Sequence, residues 1–481
     1  MAEKLRSVSM EQHNYNKQHT LNDLVLQYEA MSQKGTVGFY EETVFSQLID
    51  YYETENAIFE ALAVVSVALE QHPYSANLYC KKAKLLGIQE RYTVAMEVIE
   101  QAEMLSPCSE FIKLTKATLL GELGKYDLAF SILDELRQLT NPSDKEGLAE
   151  IYFVEGVLYE YSQNYEATFR AWKNALYLNP THEDALNRIW ICIEISRNFQ
   201  ESIELCNYII NEEPYCSLAW FNLGHAHTYF GDYTQAIEAY EYAFIINPEY
   251  EWAYRHCAEL CMEIRNYAKA LDCFEEVLSK IQPDGELLFK IGQCYYYLNN
   301  TKIAQEFFKK SVKLDEINDE VHFYLGECAT LDKDWKKAIY FYKRAIEIEG
   351  KREEYFAALA KVYIQLNQFE KAFHFFDRAV ELAPEQSCYW IDFASFLMDL
   401  NAHEVAMDIL DDATEFSVDI EIIYCKAVCL IKMGRREEAM TILEEALKED
   451  FEKHPVLFNL LPELQEEPKI MAMLAFYKYE C

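Results

Sequence analysis

Chain breakers are scarce in this sequence. Only 14 glycines and 11 prolines punctuate 481 residues, which excludes a turn-rich all-β chain and implies helices joined by short loops. Basic residues are few as well: 44 lysines and arginines stand against 81 acidic residues, a net charge of -37. Phosphate binding needs clustered Lys and Arg, so nucleic acid is not an expected partner. No like-charge run is long enough for a disordered acidic tail. The acidity reads first as a solvated surface, with a basic partner as the functional alternative. No stretch of 18 apolar residues occurs, so no membrane span is expected. The opening MAEKLRSVSM lacks the apolar run of a secretory signal, and the expected location is the cytoplasm. The 14 cysteines are scattered. Cys257 and Cys261, and Cys425 and Cys429, stand one helical turn apart, the spacing of small core residues in reduced protein.

Sites of chemistry are missing too. There is no Walker loop, dinucleotide fingerprint, GxSxG, HExxH or paired CxxC. No catalytic residue, cofactor or metal ligand is therefore expected. His225 and His227, two apart on a helix, point about 200° from each other and cannot share an ion. His227 reads as a core histidine. A minor alternative gathers His225, His256 and Glu259 around zinc.

What is present is periodicity. Residues Ser217–Pro248 read SLAWFNLGHAHTYFGDYTQAIEAYEYAFIINP: one helical pattern with Trp220, Leu223, Gly224 and His227, a break at Gly231-Asp232, and a second pattern with Ala236, Tyr240 and Ala243. Pro248 stops the second. Stepping by 34 from Ala236 reaches Ala270, Ala304, Ala338, Ala372 and Ala406, then Ala439 at 33. Stepping back reaches Ser202 and Thr168, then Ala129 after 39, then Ala95 and Ala61. Three residues before these sit Ile58, Tyr92, Tyr126, Tyr165, Phe199, Tyr233, Tyr267, Trp335 and Phe369. A third column carries Pro73, Pro107, Pro180, Pro214, Pro248 and Pro384.

These three columns resemble the tetratricopeptide repeat, over roughly residues 42–453. The resemblance implies an all-α solenoid, a right-handed superhelix of about twelve helix-turn-helix hairpins with capping helices, in which each hairpin buries its apolar face against its neighbours. Starts are expected near Glu42, Ala76, Glu110, Ala149, Glu183, Ser217, Glu251, Gly285, Asp319, Glu353, Ser387 and Ile420. The expected organisation is a polar segment and capping helix over 1–41, repeats 1–3 over 42–143, an insertion at 144–148, repeats 4–12 over 149–453, and capping helices over 454–481. The insertion reads as a longer loop, with a hinge as the alternative.

The resemblance also implies a function: a scaffold or adaptor holding a segment of another protein in a concave groove lined by the first helices. Inward positions in repeats six to nine give Phe221, Asn222, His225 and Tyr229, then Trp252, Arg255, His256 and Glu259. Phe289, Lys290, Gln293, Tyr296 and Tyr297 follow, then Phe323, Tyr324 and Glu327. Aromatics and Arg are what interface hot spots use. About half of these rings are expected to pack between hairpins. The expected ligand is a protein or peptide segment with apolar anchors and basic flanks. A carboxylate clamp is not expected: of Asn187, Ile191, Asn222, Trp252 and His256, only Asn222 fits its pattern. The alternative function is a structural subunit of a larger assembly, packed through its ends or convex face.

Overall fold

The computed structural model describes residues 21, 23–32 and 38–478. The polar opening, read above as frayed, and the last three residues lie outside the described residues. Among the described residues there is no strand, and twenty-four helices pair into twelve hairpins. In hairpins 1 to 4 the helices are Glu42–Thr54 with Ile58–Gln71, Ala76–Ile88 with Tyr92–Leu105, Glu110–Glu122 with Tyr126–Leu139, and Lys145–Tyr161 with Tyr165–Leu178. Hairpins 5 to 8 are Glu183–Ser196 with Phe199–Glu212, Ser217–Phe230 with Tyr233–Ile246, Glu251–Glu263 with Tyr267–Lys280, and Gly285–Tyr297 with Thr301–Leu314. Hairpins 9 to 12 are Asp319–Leu331 with Trp335–Ile348, Glu353–Gln365 with Phe369–Leu382, Ser387–Asp399 with His403–Phe416, and Ile420–Lys432 with Arg436–Glu449. The chain divides into two compact units, Met1–Cys257 and Ala258–Cys481.

The small-residue column is the inner seam of each hairpin. Ala61, Ala95, Ala129, Ala236, Ala270, Ala304, Ala338, Ala372 and Ala406 are fully buried. Thr168 and Ser202 fit the same column because their hydroxyls donate to the carbonyls of Asn164 and Asn198, at 3.0 and 2.7 Å. A buried hydroxyl satisfied within its own helix costs little.

Each hairpin turns on one residue in the left-handed region. Only Gly124, Gly231 and Gly434 are glycines there; the other nine include Glu90, Arg197 and Lys333. The turn is a helix C-cap: Arg91 N–H reaches back to the Leu86 carbonyl at 2.9 Å, and Asp334 N–H to that of Ala329 at 2.8 Å. These exposed positions tolerate the strain because the cap bonds offset it.

The fourth hairpin differs from expectation. Its first helix begins at Lys145, not Ala149, and runs for 17 residues. Asp144 caps it by accepting the Gly147 N–H at 3.0 Å. Four of the inserted residues are therefore the opening turn of a helix instead of loop, because Asp is a strong N-cap.

Both ends of the array are covered. Near the start, Val25 and Tyr28 are buried with Phe45 and Leu48 in one cluster, and Tyr52 donates its hydroxyl to Glu29 at 3.0 Å. At the far end, Pro455–Leu460 and Pro468–Tyr477 are helical, with a 3-10 segment at Pro462–Glu466 between them. Leu457, Ile470, Leu474 and Tyr477 join the last core cluster. The described cysteines are all free thiols, and Cys257, Cys261, Cys425 and Cys429 are buried.

Candidate functional site

The first helices of hairpins 8 and 9, both in the second unit, bring the expected aromatic group together. Phe289 and Tyr296 lie 5.7 and 5.4 Å from Tyr324, ring centre to ring centre. Phe323 lies 5.0 Å from Tyr355. The hydroxyls of Tyr297 and Tyr324 meet at 2.8 Å. Glu327 stands at the middle, accepting from Tyr296 at 3.1 Å and from Tyr342 at 2.6 Å. Burial, and then the Glu327 charge, push both tyrosine hydroxyls upward, so they remain donors.

Burial sorts the inward positions into packed and open ones. Phe289 and Gln293 are buried. Glu327 is a hydrogen-bond hub for two tyrosines, not an open rim carboxylate. Glu320 is engaged by Arg352 at 2.7 Å. Tyr297 is 42% exposed, with one ring face stacked on Tyr267 at 4.4 Å; Lys290, Tyr296, Phe323 and Tyr324 are half-buried, and Glu259 is exposed. The physical reason is close stacking: a position that points inward on one hairpin often meets the next hairpin before it meets solvent.

Hairpins 5 and 6 and the opening turns of hairpin 7, within the first unit, repeat the lesson. Phe221, Asn222 and His225 are buried. Asn222 donates to the Leu186 carbonyl at 2.8 Å, tying hairpin 6 to hairpin 5. His225 sits among rings: Tyr229 at 5.0 Å, Trp190 at 5.4 Å and His256 at 5.5 Å. Arg255 bonds Glu251 at 2.5 Å. His256 is half-buried, while Tyr229 and Trp252 remain exposed. His227 is buried, with a ring nitrogen 3.7 Å from Asp232. Among the described residues, no three His, Cys, Asp or Glu side chains gather as metal ligands.

Neither ring nitrogen of His225 has a hydrogen-bond partner. Burial, reinforced by His256, pulls its pKa from 6.5 down to about 3. The folded form is therefore the neutral ring, whereas the unfolded chain takes up a proton near the ordinary value. Stability should fall as pH drops below about 6.5, by about 1.4 kcal/mol per unit, and go on falling to about 3. His225→Phe should flatten that part of the acid limb in urea titrations run at successive pH values. An unchanged slope would mean that the ring is protonated in the fold.

A further cleft lies in the first unit, outside the inward positions of repeats six to nine. The first helices of hairpins 2 to 5 enclose a cleft of about 420 Å³ in the first unit. Ile88, Phe111, Leu114, Phe153, Val154 and Val157 supply its apolar lining. Phe111 is 50% exposed and Ile88 49%. The space exists because Gly87, Thr115 and Thr118 stand where bulk would fill it. Even one carbon added to Gly87 would come within 2.8 Å of Leu119. Lys113 and Lys116, unusual for their positions, turn aside to Glu135 and Glu103 at 2.8 and 2.6 Å.

The rim of the cleft carries Glu122, Glu150, Asp184, Lys84 and Arg188. Its cations are already engaged: Lys84 with Glu53 at 2.6 Å and Arg188 with Glu160 at 3.4 Å. Arg188 also lies 5.9 Å from the centre of the Trp172 ring. Glu150 is half-exposed, so the rim presents net negative charge to an incoming segment. In sequence the cleft shows only as an absence of large side chains at three positions, a weak signal without the neighbouring hairpins in view.

Comparison with known proteins supplies the family context. The model described as Tetratricopeptide repeat matches residues 227–291, and a second of that description matches 285–318. Anaphase-promoting complex, cyclosome, subunit 3 matches 331–412, and Coatomer epsilon subunit matches 400–471. Among solved structures, YrrB, described as a TPR protein with an unusual peptide-binding site, is 20% identical, covering 39% of this chain and 96% of that one with a TM-score of 0.34. The APC/C hetero-tetramer Cut9-Hcn1 is 13% identical over 85% of this chain and 97% of that one, TM-score 0.37. MamA is 18% identical over 33% and 94%, TM-score 0.32. No curated protein matches the chain.

Proposed function

We propose, from the premise that this chain belongs to the tetratricopeptide repeat family, that it is a protein-interaction scaffold whose first helices hold a segment of a partner protein. One observation carries the reading: the first helices of four successive hairpins leave a cleft of about 420 Å³ with an exposed apolar floor. An interface needs a desolvated apolar anchor surrounded by a polar rim. Phe111, Ile88 and Leu114 offer the first, and Glu122, Glu150 and Asp184 the second. The fitting segment carries apolar side chains flanked by Lys or Arg. Among the described residues, no helix is long and apolar enough to cross a membrane.

The test starts from a partner isolated by pull-down and titrated against purified variants. Phe111→Ala should weaken binding by about 2 kcal/mol or more, as expected of a central aromatic anchor. Glu150→Gln should cost less than about 1 kcal/mol, and its effect should fade as salt rises. If Phe111→Ala binds like wild type while substitutions on second helices abolish binding, the chain is instead an assembly subunit packed through its outer surface.

A further inference from the structure

Two helices run against the charge of the whole chain. The second helices of hairpins 8 and 9, Thr301–Leu314 and Trp335–Ile348, carry eight basic residues and two acidic ones, in a protein with 44 basic and 81 acidic residues. Elsewhere lysines commonly find carboxylates: Lys173 meets Glu201, Lys361 meets Asp392 and Lys426 meets Asp411, each within 2.7 Å. Here Lys337 pairs with Asp334 and Arg344 with Glu347. Among the described residues Lys302, Lys309, Lys310, Lys313, Lys336 and Lys343 have no ion-pair partner, and all six are exposed. Lys302, Lys309 and Lys313 recur at i, i+7 and i+11 and so form one stripe, with Glu306 inside it. Like charges one turn apart, as at Lys309 and Lys313, repel. The fold keeps them nonetheless.

Beside the stripe is an apolar cleft of about 360 Å³. Leu278, Pro283, Leu288, Phe307 and Leu314 line it, and its only charged lining residues are Lys310 and Lys313. The Lys310 ammonium sits 4.8 Å from the centre of the Phe307 ring. Leu314 and nearby Ile317 are 58% and 78% exposed. The neighbouring cleft, toward hairpin 9, is mixed: Lys309 and Lys337 stand beside Asp332 and Asp334, with Leu325 and Phe341 also in its lining.

We infer that this second-helix face is a docking surface for an acidic protein segment whose apolar side chain enters the cleft between hairpins 7 and 8. Charge complementarity names the acidic flanks: six unpaired ammonium groups stand on two consecutive second helices of a protein that elsewhere repels acidic chains. The apolar cleft names the anchor, and it distinguishes a peptide from nucleic acid, whose phosphates would meet the lysines but leave the cleft empty. The surface shares no residue with the first helices of hairpins 2 to 5, so this inference and the reading above can fail separately.

The probe is a fluorescein-labelled peptide of glutamates around a central pair of leucines, followed by fluorescence anisotropy at low salt with the full chain. Wild type should bind it. Lys310→Glu combined with Lys313→Glu should weaken binding by roughly tenfold or more, while Lys361→Glu combined with Lys426→Glu should not change it. Leu314→Ser, which leaves every charge in place, should weaken the leucine peptide but not a counterpart with serine in place of leucine. Circular dichroism checks that each variant is folded. No binding by wild type, equal binding by the Lys310/Lys313 variant, or tighter binding of duplex DNA than of the peptide would overturn the inference.

Discussion

Trp172→Ala should cost about 3–5 kcal/mol of stability, the range for emptying a large aromatic site. Trp172 is fully buried. Its indole N–H donates to the Phe153 carbonyl at 3.0 Å, and its ring stacks on Phe153 at 6.2 Å. The ring lies so close to Gly156 that one added carbon there would come within 2.3 Å of it. In a repeat array each hairpin couples mainly to the next, so the damage should stay local. Amide protection should fall first in hairpins 4 and 5. The partner cleft should suffer too, because two of its lining residues, Phe153 and Arg188, rest against this ring. A stability loss under about 1 kcal/mol, or an even loss of protection throughout the first unit, would contradict the account.

Gly326→Leu should destabilise hairpin 9 at the upper end of the overpacking range, about 3 kcal/mol. A single carbon on Gly326 would already sit 2.6 Å from the Tyr342 ring. The ring cannot retreat freely: it is 1% exposed, and its hydroxyl is held by Glu327 at 2.6 Å. The pairing recurs. Gly224 faces Tyr240 and Gly292 faces Phe308 in the same way, each glycine on a first helix against a ring sixteen residues later. Where the earlier position is alanine, as at Ala360 and Ala394, the later one is Phe376 or Leu410, all buried. Combining Gly326→Leu with Tyr342→Ala should therefore cost less than the two losses added, because the leucine fills space that the ring vacates. Simple additivity in chemical denaturation would mean that the two residues do not share that space.

The register of the hairpins was legible because small residues such as Ala236 and Ala270 recur where two helices must touch. The Gly224 and Tyr240 pair belongs to the same signal, although the partnership of the two became visible only in three dimensions. The turns were less legible. Gly231 marks one, but Glu90 and Lys333 adopt the same left-handed backbone, and a surface Glu or Lys gives no sign of it. Asp144 misled because it reads equally as a loop residue and as a helix cap. The site was harder still. Helical spacing places Phe289 and Gln293 on an inward face, but it does not say how closely the next hairpin approaches. Glu327 shows the same limit: one carboxylate looks like rim charge until Tyr296 and Tyr342 are seen donating to it. The cleft of hairpins 2 to 5 is written as missing bulk at Gly87, Thr115 and Thr118, and missing bulk has meaning only once the surrounding walls are known.

The central claim is that partners meet this protein on the first helices of hairpins 2 to 5. Site-specific photo-cross-linking tests it most directly. A photoreactive phenylalanine analogue is placed at position 111, on the cleft floor, and in a separate protein at position 104, where Met104 is 75% exposed on a second helix. The account predicts that position 111 captures the partner and that position 104 does not. Capture from position 104 with none from position 111 would contradict it.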